Sequence, residues 1–127
     1  MRKLLFGLFL SLVASATSAQ WVFVGENTSR DKSYADPATK RRTGNVVRMW
    51  VLTDYSKPGV IDGKVSLSDR VYTQYDCAER TSQILQLAFF SGKMLSGELL
   101  GSDTKLRSRD FIAPGTMAEA QLNFACK

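Results

Sequence analysis

Over residues 66–80 the chain alternates. Val71, Thr73, Tyr75 and Cys77 fall on one face of an extended segment, and Tyr72, Gln74, Asp76 and Ala78 on the other. A period of two marks a strand with one covered face, so the pattern predicts a strand over 66–80. Residues 82–91 continue in the same way, with Leu85, Leu87 and Phe89 against Ile84, Gln86, Ala88 and Phe90. A helix over 78–90 is the alternative, because Glu79, Arg80 and Gln83 are good helix formers. Two further runs, WVFVGE (21–26) and VVRMWVL (46–52), carry the β-branched and aromatic residues that suit a pleated surface. The polar stretch between them is broken by Pro37 and Gly44. It predicts two short extended pieces around a turn, one at Tyr34 to Pro37 and one at Thr39 to Thr43, with Thr43-Gly44-Asn45 leading into 46–52. YSKPGVIDGK (55–64) holds Pro-Gly and Asp-Gly and predicts an exposed loop. SGKM (91–94) predicts a turn and LSGELLGS (95–102) a further strand.

The period changes at the C-terminus. In APGTMAEAQLNFACK (113–127), Pro114 and Gly115 break the chain, and Thr116 stands three residues before Glu119, the spacing of a capping box. Ala118, Leu122, Ala125 and Cys126 then recur at helical spacing and share one face. Lys127 adds a positive charge at the helix end, where the macrodipole favours it.

The first residues set the compartment. Arg2 and Lys3 precede a short apolar run from Leu4 to Val13, then small residues with two candidate cleavage sites, Ala14-Ser15-Ala16 and Thr17-Ser18-Ala19. This is the three-part pattern of a secretory signal peptide. A permanent anchor is the alternative, but the run is shorter than the roughly 20 residues a bilayer requires. The reading is a signal peptide over 1–19 and one domain over 20–127. No cysteine follows either cut, so the lipid-attachment signal of a bacterial lipoprotein is missing, and the protein is expected in the periplasm or secreted. Without Arg2 and Lys3 the chain keeps 15 basic against 12 acidic residues. That mild excess, in an exported protein, argues against nucleic acid as partner, and no membrane span is expected after signal cleavage.

Cys77 and Cys126 are the two cysteines. In an exported chain they predict one disulfide, with a pair of free thiols as the alternative. The bond would pin the terminal helix to a central strand, which makes both cysteines structural. There is no histidine, which removes the commonest general base and most transition-metal sites. No glycine-rich phosphate loop occurs. Neither cofactor nor metal nor catalytic residue is expected. The carboxylates Asp76 with Glu79, or Glu26 with Asp31, have no spacing that distinguishes them from solvated charge. The one concentrated charge feature is Lys40, Arg41, Arg42 and Arg48. In a hairpin of 39–43 with 46–52 these would cluster and attract an acidic partner, a glycan or anionic lipid head groups. The bland reading is a solvated turn whose charges keep a strand edge from pairing with other chains. Trp21, Trp50 and Tyr55 are expected in the core or on a sheet face.

A set of residues in fixed order carries a family resemblance: Trp21 in the first strand, Tyr34-Ala35-Asp36 with Thr39, Val46 to Leu52 with Trp50, Tyr75-Asp76-Cys77, Ile112-Ala113-Pro114-Gly115 and terminal Cys126. Nearly the whole chain after the leader resembles the surface-adhesin protein E-like domain of Gram-negative bacteria. The resemblance implies a six-stranded antiparallel sheet with a C-terminal helix held to its concave side by the disulfide. It also implies a dimer and binding of host matrix or serum proteins such as vitronectin, laminin and plasminogen. The chain departs from the family's lipoprotein pattern in lacking the lipid-attached cysteine. The expectation is therefore an α+β fold: one antiparallel sheet of about six strands, with the helix packed on one face and tied by the disulfide. Its expected role is an exported non-catalytic binding domain for host or envelope components. The alternative is a soluble periplasmic structural or envelope-accessory protein with no host ligand.

Overall fold

A computed structural model describes residues 20–127, and the leader expected over 1–19 lies outside the described residues. Eight strands form one antiparallel sheet: β1 (Val22–Glu26), β2 (Lys32–Ala35), β3 (Arg41–Thr43), β4 (Val46–Ile61), β5 (Lys64–Asp76), β6 (Thr81–Phe90), β7 (Leu99–Asp103) and β8 (Arg109–Phe111). One helix, α1 (Met117–Cys126), follows. Six strands lie in a continuous path, β1-β2-β4-β5-β6-β7. The two additional ones share edges with neighbours: β3 runs beside the first residues of β4 where β2 stops, and β8 beside the first residues of β6 where β7 stops. The sheet therefore has eight strands rather than the six expected. β3 and β8 have three exposed residues each, too few for a period of two to emerge from the sequence.

The segment 55–64 is not a loop. β4 and β5 continue through it as the two arms of a hairpin, with Val60 opposite Val65 and Ile61 opposite Lys64. The turn is Asp62-Gly63 alone, both with positive φ (49° and 77°), which is the two-residue turn that matches strand twist. Pro58 is tolerated because the β4–β5 register breaks between Asp54 and Gly59, so the missing N–H deprives no ladder bond. The strand expected over 66–80 ends at Asp76. There the Asp76 carboxylate accepts the N–H groups of Ala78 (3.0 Å) and Glu79 (2.9 Å) and bends the chain towards β6. The helical alternative for 78–90 is excluded, since β6 pairs with β5 on one side and with β7 and β8 on the other. Its alternation slips once. Tyr72 pairs with Gln86 and Thr73 with Ile84, so Leu85 is an extra residue and Ile84 joins the face of Leu87. β7 begins at Leu99, later than the predicted 95, because a short 3₁₀ turn occupies Lys93–Leu95.

α1 packs on one sheet face through the residues its spacing selects. Leu122 and Ala125 are buried against Ala35, Val47, Met49, Val51 and Tyr75, with Ala118 and Cys126 at the margin. Thr116 caps the helix by accepting the Glu119 N–H (3.2 Å), and Glu119 accepts from Gly115 N–H (3.2 Å). The return bond of the capping box thus falls one residue earlier than the pattern predicts. Glu119 also pairs with Arg80 from the β5–β6 turn (3.1 Å). The Cys77–Cys126 disulfide then joins the last helical residue to the end of β5.

Candidate interaction surface

Directly paired residues of an antiparallel sheet point to the same side. Val47 with Tyr75, Met49 with Thr73 and Val51 with Val71 face α1. The residues between them face away: Arg41 opposite Arg48, Arg48 opposite Gln74, Trp50 opposite Tyr72, and buried Leu52 opposite Arg70, beyond which Asp54 and Ser68 hold the Lys93–Leu95 turn against the sheet. On this open face the Trp50 and Tyr72 rings stack with centroids 5.1 Å apart. The Arg70 guanidinium lies 5.0 Å from the Trp50 ring and 5.7 Å from that of Phe90, within reach of a cation–π interaction. Arg48 donates from Nε to Gln74 Oε1 (2.9 Å), and Arg41 donates from Nη1 to the carbonyls of Ala38 and Lys40 (3.0 Å each). A cleft of about 550 Å³ lies between Arg41, Thr43, Val46, Arg48, Tyr72 and Gln74. Among the described residues, the ion pairs are Lys64–Glu98, Arg80–Glu119, Lys93–Asp54 and Arg107–Asp103. Arg41, Arg48 and Arg70 belong to none of them.

The four cations expected to cluster are divided between the two faces. Alternation along β3 puts Arg42 opposite buried Val47, on the helix side. There its Nη1 donates to Cys126 O (3.2 Å), while Lys40 Nζ donates to Phe124 O (3.0 Å) and Lys127 O (3.4 Å). These are the carbonyls that the last turn of a helix leaves without intrahelical partners, at the negative end of its dipole. Burial, then the nearby Lys127 and Arg42 charges, lower the Lys40 pKa. The hydrogen bonds to the helix-end carbonyls outweigh that penalty, so Lys40→Met is expected to cost about 1 kcal/mol, read from urea denaturation midpoints. A change under a few tenths would remove the capping role. Arg70 and the Trp50–Tyr72 pair complete the open face. The sequence offered a signal for them only in that positions 48, 50 and 52, and 70, 72 and 74, share a strand face by their period of two.

This arrangement of sheet, helix and disulfide has relatives. The sequence matches the family model described as Surface-adhesin protein E over residues 21–127. The chain belongs to the surface-adhesin protein E family. The fold agrees. Crystal form II of Haemophilus influenzae protein E superposes with a TM-score of 0.66 at 14% identity, covering 90% of this chain and 94% of that one. A second protein E structure from Haemophilus influenzae gives 0.64 at 15%, covering 90% of each chain. Protein E from non-typeable Haemophilus influenzae gives 0.61 at 14%, covering 90% and 81%. No curated protein matches the sequence at a significant level.

Membership places this domain in a family described as a surface adhesin. Several of the domain's carboxylates hold the backbone. Asp76 holds the β5–β6 turn. Asp31 accepts from Ser56 N–H (2.8 Å) and from the Asn27 amide (3.1 Å), and the Ser56 bond leads the causes that lower its pKa. Asp69 is the most perturbed. It faces the helix side opposite Thr53, receives a hydrogen bond from the Tyr55 hydroxyl on Oδ2, and buries Oδ1 without a partner. Burial pushes its pKa up to about 6, against the lowering effect of the Tyr55 bond. No group of three or more metal-ligating side chains occurs among the described residues, and no described helix is long and apolar enough to cross a membrane.

Proposed function

We propose that this adhesin E domain is exported after removal of residues 1–19 and acts, without catalysis, as a binding domain whose contact surface is the open face of the sheet. Its partners on this reading are host matrix or serum proteins, or envelope components, met in the periplasm or outside the cell. The observation that carries the reading is the gathering of Arg41, Arg48 and Arg70 around Trp50 and Tyr72 on the face that α1 leaves uncovered, with none of the three in an ion pair among the described residues. Exposed, uncompensated guanidinium groups beside aromatic rings are the residue types enriched where proteins bind others. Family membership supports an external partner. A homodimer, which the family resemblance implies, is compatible with it.

The test is retention on immobilised matrix and envelope preparations of the mature protein and of Arg41→Glu/Arg48→Glu. The variant is expected to lose at least nine-tenths of the retained protein, because two attractive charges become repulsive at the contact. Both sites are exposed, so the melting temperature should hold. Equal retention of variant and parent would remove this face from the account.

A further inference from the structure

Resting on that reading of the open face, we infer that the cleft bounded by Arg41, Arg48, Tyr72 and Gln74 takes a sulfated polysaccharide chain. Arg41 and Arg48 are direct cross-strand partners, and like charges placed opposite one another destabilise a sheet. Among the described residues no carboxylate pairs with either of them. An anion between the two guanidinium groups relieves that repulsion, and the planar fork of arginine matches the oxygen geometry of such a group. Gln74 orients one of the forks: its Oε1 accepts from Arg48 Nε, which leaves the Arg48 terminal nitrogens and the Gln74 amide N–H groups as donors. Arg70, over Trp50 and Phe90, continues the line of positive charge along β5. The face therefore offers donors and positive charge to an extended, acceptor-rich, anionic ligand.

Two other occupants fit less well. Peptides are captured by adding a strand at a sheet edge or by laying an apolar face into a groove. The cleft opens on a sheet face, and Trp50 is already stacked by Tyr72 and covered by Arg70. Membrane surfaces are met by exposed large apolar side chains beside cations. Here the most exposed ones lie outside the cleft: Val60 and Val65 on the hairpin arm, Leu106 in the β7–β8 connection, Phe111 on β8, and Phe23, which its pairing with Tyr34 puts on this face but on edge strand β1, two strands away from β4. Tyr72 is a wall of the cleft, and an aromatic side chain with a hydroxyl suits a sugar.

The experiment is isothermal titration of the mature protein with a heparin-derived octasaccharide. The comparisons are an unsulfated heparosan octasaccharide and an octaglutamate peptide. The expected result is binding to the sulfated chain at least tenfold tighter than to either comparison. Arg41→Gln/Arg48→Gln should weaken it at least tenfold and Arg70→Gln by a smaller factor. Lys105→Gln/Arg107→Gln, which removes two cations from the β7–β8 connection, should change it less than twofold. All variants are matched for melting temperature before titration. No measurable octasaccharide binding, equal binding of octaglutamate, or equal loss in the Lys105/Arg107 variant would each overturn the inference. If the octasaccharide fails while Arg41→Glu/Arg48→Glu still abolishes retention on matrix preparations, the glycan falls and the open face stands as the binding surface.

Discussion

Cys126→Ser, or equally Cys77→Ser, is expected to lower the unfolding free energy by about 4 kcal/mol and the melting temperature by roughly 15–30 °C. The bond spans a sequence separation of 49 residues, and its main effect in the chain-entropy model is to remove conformations from the unfolded chain. Without it, α1 is a helix of 10 residues at the end of the described chain. A helix of that length is marginal alone, and chain ends fray first. What then holds it is the burial of Leu122 and Ala125 over Met49, Val51 and Tyr75, the Thr116 cap, and the two cations from the β3 region at its last carbonyls. Denaturation of the purified variants, with the parent measured in the presence and absence of reductant, reads the effect directly. A loss below about 1 kcal/mol would mean that packing alone seats the helix.

The second large effect concerns Asp69. Its pKa in the folded protein is raised to about 6, from an ordinary value of 3.8, chiefly by burial. A raised pKa means that the fold prefers the protonated form. The stability associated with that proton is fully present below pH 3.8 and is lost as the pH rises through about 6. Between those limits the parent is expected to lose about 3 kcal/mol relative to Asp69→Asn, whose amide does not titrate. The comparison is one of slopes. The substitution also places an N–H₂ group where Asp69 buries Oδ1 without a partner, so the two proteins need not be equally stable at low pH. Urea unfolding of both at a series of pH values from 3.5 to 7.5 measures the changing gap. Parallel curves across that range would show that the Asp69 carboxylate is solvated in the folded protein.

The two halves of the structure differed in how far the sequence disclosed them. The helix was legible because several signals agree over a few residues: breakers at Pro114 and Gly115, a cap at Thr116, and apolar spacing ending on Cys126. The pairing of Cys77 with Cys126 followed from their number and compartment. The hairpin arm was not legible. Two glycine dipeptides stand close together in 55–64, and only Asp-Gly turns the chain. Pro58-Gly59 lies inside a strand because a register break there removes the need for the proline N–H. Nor could sequence spacing show that Lys40 and Arg42 face a helix end at the far end of the chain, while Arg41 between them faces the opposite way. The contiguous charge run is a property of the chain. Its division into helix caps and guanidinium groups outside any described ion pair is a property of the sheet, created by alternation along β3 and by the position of the disulfide-bound helix. For the same reason Arg70 joined the site unannounced: it is remote from the charge run in sequence, and the pairing of β4 with β5 sets it opposite Leu52 on the same face.

The claim on which the functional account turns is that the open face, with Trp50 at its middle, is what a partner covers. In a Trp21→Phe background, Trp50 is the sole tryptophan, since the chain has two, and its acrylamide quenching reports access to that face. Addition of the matrix or envelope preparation that retains the protein is expected to reduce the quenching constant of Trp50 at least twofold, and to leave it unchanged in Arg41→Glu/Arg48→Glu. Retention of the protein with Trp50 still quenched as freely as before would place the contact elsewhere on the molecule and contradict the account.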